Sequence, residues 1–169
     1  MIASYRVEPA TAADREDVVA LFAEDLSDLH MVFDLPTLAG VFDEMLAEPR
    51  AMVLVVRALD DDERPWRAVG VLVATRLLSV KAGGKAMWIE ELYVGRRWRR
   101  LGLGRLLVEG LMERARPSGI KAIDLEAYQG NAPAAVLYRS LGFRRIGRER
   151  FHYRMEWEGE DADDGGTEG

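Results

Sequence analysis

Arg96-Arg97-Trp98-Arg99-Arg100-Leu101-Gly102-Leu103-Gly104-Arg105 joins an apolar strand pattern, Met87 to Val94, to a helical pattern from Gly102 to about Arg116. It holds five arginines and no acid, in a chain whose formal net charge is -6. Glycine lets backbone N–H groups approach a ligand closely, and a helix start adds roughly half a positive charge. Strand, glycine turn and helix in that order predict a site for a phosphate-bearing ligand. The competing reading is a solvated basic loop whose glycines only end a strand.

Outward from this turn the pattern is αβ. Ser4 to Glu8 predicts a strand, and Thr11 an N-cap answered by Asp14 three residues on. Val18, Leu21, Phe22, Leu26 and Leu29 then follow at helical spacing. A second helix is expected over Pro36–Ala47, with proline in its first turn. Strands are expected at Ala51–Ala58, Trp66–Val80 and Met87–Val94, with turns at Asp60–Pro65 and Lys81–Lys85. Beyond the glycine turn and its helix, Pro117-Ser118-Gly119 is a stop. Ile120–Ala127 predicts a strand, Asn131–Leu141 a helix, and Phe143–Gly147 and Phe151–Trp157 two further strands. The mixture of hairpins and βαβ units predicts a mixed α/β sheet with helices packed on it.

The chain has 169 residues, 49% hydrophobic and 31% charged, which suits one globular domain. Residues 1–157 are assigned to that domain and 158–169 to an acidic, disordered tail. Without the six acids of that tail, 23 acidic residues face 23 basic ones. Within the body, Asp14 to Glu48 is strongly acidic and Arg96 to Arg105 is its opposite, so two ligand regions of opposite sign are expected. Arg6 and Glu8 interrupt the start before any apolar run, and the longest such run, Ala68 to Ala74, is too short for a membrane span. A cytoplasmic protein without membrane association is expected. With no cysteine, disulfides, a catalytic thiol and thiolate-bound metals are excluded. His30 and His152 are the only histidines and lack ligand spacing, so no metal is expected.

Other ligand motifs fit poorly. A dinucleotide turn wants a small residue where Leu107 stands, and a P-loop wants Lys-Ser or Lys-Thr after its last glycine. No Gly-x-Ser-x-Gly element supports a hydrolase. Arg99-Arg100-Leu101-Gly102-Leu103-Gly104, however, matches the Gln/Arg-x-x-Gly-x-Gly/Ala signature of the Gcn5-related N-acetyltransferase superfamily. Glu90-Glu91-Leu92-Tyr93-Val94 resembles that superfamily's central strand. Asn131-Ala132-Pro133-Ala134 through Tyr138-Arg139-Ser140-Leu141-Gly142-Phe143 resembles its second hallmark. The resemblance covers roughly residues 4–157.

The resemblance implies a GNAT-like, mostly antiparallel sheet with helices on both faces and a splayed central strand pair. It also implies direct acetyl transfer from acetyl-CoA to an amine. Acetyl-CoA would be held by Arg99, Arg100, Gly102, Leu103, Gly104 and Arg105 at the diphosphate. Leu92, Tyr93 and Val94 would meet its arm, the Leu92 N–H would face the oxyanion, and Asn131 would help to hold CoA. Glu90 is the candidate base and Tyr138 the candidate acid at the departing thiolate. Strand alternation puts Glu90, Leu92 and Val94 on one face and Glu91 and Tyr93 on the other. An ion pair for the glutamates and core packing for Tyr138 are the alternatives.

Asp28, His30 and Glu126 are candidate acceptor contacts, with Glu24, Asp25 and Asp34 able to attract a cation. The expected acceptor is a small cationic amine, polyamine-like or aminoglycoside-like. A protein N-terminus or lysine is the alternative, and a silent acyl-CoA sensor is a reading of another class. Nucleic-acid binding is not expected, because the arginine cluster is local. A homodimer is implied by analogy only.

Overall fold

The computed structural model describes residues 4–59, 66–128 and 130–147. Five strands form one sheet in the order β1 (Tyr5–Pro9), β2 (Ala51–Ala58), β3 (Arg67–Ser79), β4 (Gly84–Val94) and β5 (Ala122–Leu125). Neighbours from β1 to β4 are antiparallel, whereas β4 and β5 run parallel. The helices are α1 (Arg15–Asp28), α2 (Leu35–Ala47), α3 (Leu103–Ala115) and α4 (Ala132–Ser140). This is the mixed, mostly antiparallel α/β architecture expected.

The sheet buries both faces. On one, Leu103, Leu107, Val108 and Leu111 of α3 pack on Leu54, Leu72, Met87 and Ile89. On the other, Val18, Leu21 and Phe22 of α1 and Phe42 of α2 pack on Val55, Val71, Val73 and Tyr93. β2 and β3 therefore read as nearly unbroken apolar runs rather than as alternating ones. Leu107, where a dinucleotide turn would need a small residue, is fully buried in this core.

The capping expectation at Thr11 holds. The Thr11 N–H donates to Asp14 Oδ2 at 2.8 Å, closing a short 3-10 turn ahead of α1. Asp14 is itself buried, and the Arg57 guanidinium of β2 grips its carboxylate, one contact being 2.9 Å. Arg57 also donates to Glu8 of β1 at 2.9 Å, so one guanidinium ties α1, β1 and β2 together. At α2, Asp34 accepts the Thr37 N–H at 2.9 Å and Pro36 sits in the first turn.

Phe143–Gly147 has no strand pairing among the described residues. The fifth strand is Ala122–Leu125, shorter than the expected Ile120–Ala127, because its pairing with β4 runs only from Ala86 with Ala122 to Ile89 with Leu125. The Asp60–Pro65 turn, the Phe151–Trp157 strand and the acidic tail lie outside the described residues.

Removing one partner of a buried ion pair strands the other charge. Asp14→Ala should therefore lower unfolding free energy by about 3 kcal/mol or more in urea denaturation. A loss below about 1 kcal/mol would show that the Arg57 tie is not structural.

Candidate functional site

The site is organised by one extra residue. Val73 of β3 faces Glu91, but its neighbour Ala74 faces Ile89, so Glu90 is a β-bulge. Parallel pairing with β5 ends at the same place, at Ile89 with Leu125, while β4 continues to Val94 against β3 alone. Residues 90–94 thus have an edge that β5 has left. The bulge also changes the parity of the strand. Met87 and Ile89 before it, and Leu92 and Val94 after it, all pack toward α3, while Tyr93 packs toward α1 and α2. The alternation expected for Leu92, Val94 and Tyr93 is observed. For Glu90 it is corrected: as the bulge residue, exposed, it does not continue the Leu92–Val94 row.

On the vacated edge, two main-chain groups are met by side chains instead of a strand. The Leu92 N–H donates to Glu91 Oε1 at 3.0 Å, and the Val94 carbonyl accepts Arg99 Nε–H at 3.1 Å. Residues two apart point their main-chain groups to the same edge, so both face where a further strand would lie. Glu91 is part-buried, and the Asp25 carboxyl of α1 lies within electrostatic reach of it. Burial, then the Asp25 charge, pushes the Glu91 carboxyl up to about 7. Asp25 is raised too, by burial first and then by Asp28, against the lowering influence of Arg99.

The glycine turn follows. Gly95 donates to the Val69 carbonyl at 3.0 Å and Arg96–Trp98 form a 3-10 turn. Arg100 and Gly102 both take left-handed backbone, with φ of 68° and 77°. Such a φ suits glycine and strains arginine. The first hydrogen bond of α3 runs from the Leu106 N–H to the Gly102 carbonyl at 3.1 Å, and no side chain caps the helix. The amides of Leu103, Gly104 and Arg105 ahead of it point out of the helix end. Leu103's side chain is buried, and a Cβ at Gly104 would lie 3.3 Å from Leu137 Cδ2, so the second glycine lets α4 approach α3. Arg105 joins the two helices through Glu109 and Ser140.

The acidic and basic poles, expected to be separate, meet here. Asp28 at the end of α1 takes Arg96, the Arg99 Nη2 at 2.8 Å and the Tyr93 hydroxyl at 2.9 Å. Glu24 accepts the Arg96 N–H at 2.9 Å. The arginines, led by Arg96, hold the Asp28 carboxyl well below the usual carboxylate range; burial first, then Asp28, pushes the Tyr93 hydroxyl up. Asp28 therefore braces the turn, and Arg99 is engaged by Asp28, Val94 and the Tyr93 ring, 5.0 Å away. His30 has φ of 56° and closes α1: its N–H reaches the Ser27 carbonyl, and the Met31 N–H reaches Leu26. That is a Schellman stop with histidine where glycine is usual.

The second hallmark has the same logic. Asn131 caps α4 by accepting the Ala134 N–H at 3.2 Å. At its end the Gly142 N–H reaches Arg139 and the Phe143 N–H reaches Tyr138, again a Schellman stop, with Gly142 at φ 92°. The contact that accompanies such a stop is Phe143 edge-on to Tyr138, ring centres 5.8 Å apart. The Tyr-x-x-x-Gly-Phe spacing thus fixes the Tyr138 ring. Its hydroxyl is raised by burial and then by the charge of Glu91. Glu126, exposed, lies just beyond β5. Asp25 and Glu91 are the carboxyl pair that sequence reading did not bring together; the bulge that decides it leaves no compositional mark.

Among the described residues no group of His, Asp or Glu is placed to hold a metal ion, and no helix is long and apolar enough to cross a membrane. A strand edge that β5 has left is followed in the chain by an uncapped helix start. The acetyltransferase (GNAT) family model matches residues 16–143, and the chain belongs to that family. The ribosomal protein bS18-alanine N-acetyltransferase of Salmonella typhimurium is 38% identical over 65 residues, covering 38% of this chain and 44% of that protein. Streptothricin acetyltransferase of Streptomyces lavendulae is 34% identical over 98 residues, 56% of this chain and 52% of that protein. The chain thus spans about half the length of the curated relatives it matches. An aminoglycoside antibiotic 6'-N-acetyltransferase from Acinetobacter haemolyticus shares the fold, with TM-score 0.69 and 20% identity over 89% of this chain and 99% of that one.

A carboxyl that folds with its proton held to about 7, against 4.5 unperturbed, stabilises the protein below about pH 4.5 and loses that contribution as pH rises through 7. Glu91→Gln should therefore gain melting temperature relative to wild type between pH 5 and pH 8. A difference that stays flat over that range would contradict the placement of Glu91.

Proposed function

We propose that this chain is an acetyl-CoA-dependent N-acetyltransferase acting on the primary amine of a small cationic molecule. The observation that carries this reading is the pair of main-chain groups at Leu92 and Val94, satisfied by Glu91 and Arg99 in place of a strand. An extended amide-bearing arm running along β4 would replace both side chains, as an added strand does. Its diphosphate would then meet the amides of Leu103, Gly104 and Arg105, where a helix start favours anions. Arg97 and Arg100, exposed, lie in the same turn and add positive charge there.

The transfer balances as follows. An ammonium with pKa near 10.4 must first lose a proton, at a cost of about 4–5 kcal/mol at pH 7 if water alone receives it. A carboxylate at the strand opening receives that proton instead; Glu90, Glu91 and Glu126 are the candidates there. The neutral nitrogen attacks the thioester carbonyl, and the Leu92 N–H is available to the oxyanion once Glu91 releases it. Collapse breaks the C–S bond, and the second N–H proton goes to the departing sulfur. Tyr138, with its hydroxyl held above the usual tyrosine value, is a poor proton donor to a thiolate near 8.5. It supports the sulfur as a hydrogen-bond donor instead.

Acidic groups around the opening (Glu24, Asp25, Glu90 and Glu91) favour a cationic acceptor, and streptothricin acetyltransferase among the relatives supports a small-molecule one. A second reading, an alanine N-terminus of a protein, is supported by the bS18-alanine relative. Thiol release from acetyl-CoA separates them, with streptothricin, sisomicin and an alanine-initiated peptide as acceptors. A small-molecule amine should exceed the peptide in kcat/KM by about tenfold or more. The reverse order would favour the protein acceptor, and tight acetyl-CoA binding with no thiol release would favour a sensor. Tyr138→Phe should lower kcat about tenfold or more while leaving acetyl-CoA affinity unchanged. An unchanged kcat would assign Tyr138 to packing against Phe143.

A further inference from the structure

We infer, on the acetyl-CoA reading above, that Arg99 is a plug on the free edge of β4 and that Asp28 holds it there. The arm of acetyl-CoA then binds only by displacing it. The contact is autoinhibitory, because one guanidinium occupies the carbonyl that an added strand needs.

The chain itself brings the plug back to the strand. Gly95 turns its N–H to the Val69 carbonyl of β3, and the 3-10 turn Arg96–Trp98 folds the backbone over. Arg99, five residues after Val94, thereby donates from Nε to the Val94 carbonyl at 3.1 Å. Its Nη2 donates to Asp28 Oδ2 at 2.8 Å, and the guanidinium lies 5.0 Å from the centre of the Tyr93 ring. A rigid guanidinium fork serves both acceptors at a fixed spacing; an ammonium is a point charge without that fork.

Asp28 stands where local chemistry does not favour it. It is the last residue of α1, a helix end that carries partial negative charge, and the last turn holds no basic residue. Arg96 and Arg99 bring the missing cations from the glycine turn. When Arg99 leaves, Asp28 keeps Arg96 and the Tyr93 hydroxyl, so its charge is not stranded. The Arg99 side chain is already 45% exposed. Glu91, on the Leu92 N–H, differs: its bond joins neighbours in one strand, whereas Arg99 is tethered to another element.

A ligand that needs an open edge loses affinity in proportion to the fraction of molecules in which that edge is open. A plug in place about 90% of the time would weaken binding about tenfold. Asp28, which touches neither the strand edge nor the helix start of α3, thus sets acyl-donor affinity through Arg99.

The probe is S-acetylpantetheine, which has the arm and thioester of acetyl-CoA but no phosphate and no charge. Altered charge in the glycine turn therefore exerts no long-range attraction on it. Arg99→Ala should lower its Kd about threefold or more in an NMR titration. Arg99→Lys, which keeps the charge without the fork, should do the same. Asp28→Asn should lower the Kd in wild type and add nothing in Arg99→Ala; if Asp28→Asn fails to fold, the two Arg99 variants decide. In the free protein a scalar coupling should join Arg99 15Nε to the Val94 carbonyl 13C, and saturating coenzyme A should abolish it. The plug is overturned if Arg99→Ala leaves the Kd of S-acetylpantetheine unchanged or raises it. It is equally overturned if Asp28→Asn acts alike with and without Arg99, or if the coupling persists in the complex. A coupling present in the free protein, with neither acetyl-CoA nor S-acetylpantetheine binding to wild type or any variant, would overturn the acetyl-CoA reading, and the plug with it.

Discussion

One inserted residue in β4 governs the site. Glu90 has no partner of its own across β3, and from that point β5 no longer pairs with β4. A bulge increases local twist, and two strands that share a twist up to Ile89 and Leu125 cannot share it beyond. Five residues of β4 are left with strand geometry, a partner on one side and a row of main-chain groups on the other. In most sheets such an edge is a liability to be covered. Here side chains cover it at two points, Glu91 on the Leu92 N–H and Arg99 on the Val94 carbonyl.

Around that edge the fold sets opposite charges against each other. Asp28 ties Arg96, Arg99 and Tyr93 to the end of α1. Each exposed pair alone contributes little. On the far side Gly104 and Leu137 let α4 close against α3, and the Gly142–Phe143 stop locks the Tyr138 ring.

Much of this was legible in the residues. The cap at Thr11, the proline at the head of α2, the glycine turn and the Asn131 cap have local causes, and each appears where its residues predict. The two glycines had distinct reasons, a left-handed backbone at Gly102 and a close helix at Gly104. What was not legible depends on register. A single-residue slip reverses which side chains share a face, and nothing in Glu90-Glu91 says which glutamate is the extra one. Phe143, expected to begin a strand, packs edge-on against Tyr138 at the stop that ends α4. Tertiary pairing joins Asp28 to Arg96, Arg99 and Tyr93, and His30 takes the left-handed backbone that ends α1. The opposite charges were read correctly as two poles, and only the fold could show that they touch.

The central claim is that acetyl-CoA lies along the part of β4 that β5 has left. Amide hydrogen exchange with and without acetyl-CoA tests it most directly. New protection should concentrate at Leu92 and Val94 and at Leu103, Gly104 and Arg105, while Ala86 to Ile89, already paired on both sides, should change little. Protection that appeared elsewhere, with β4 beyond the bulge exchanging as fast as before, would contradict the account.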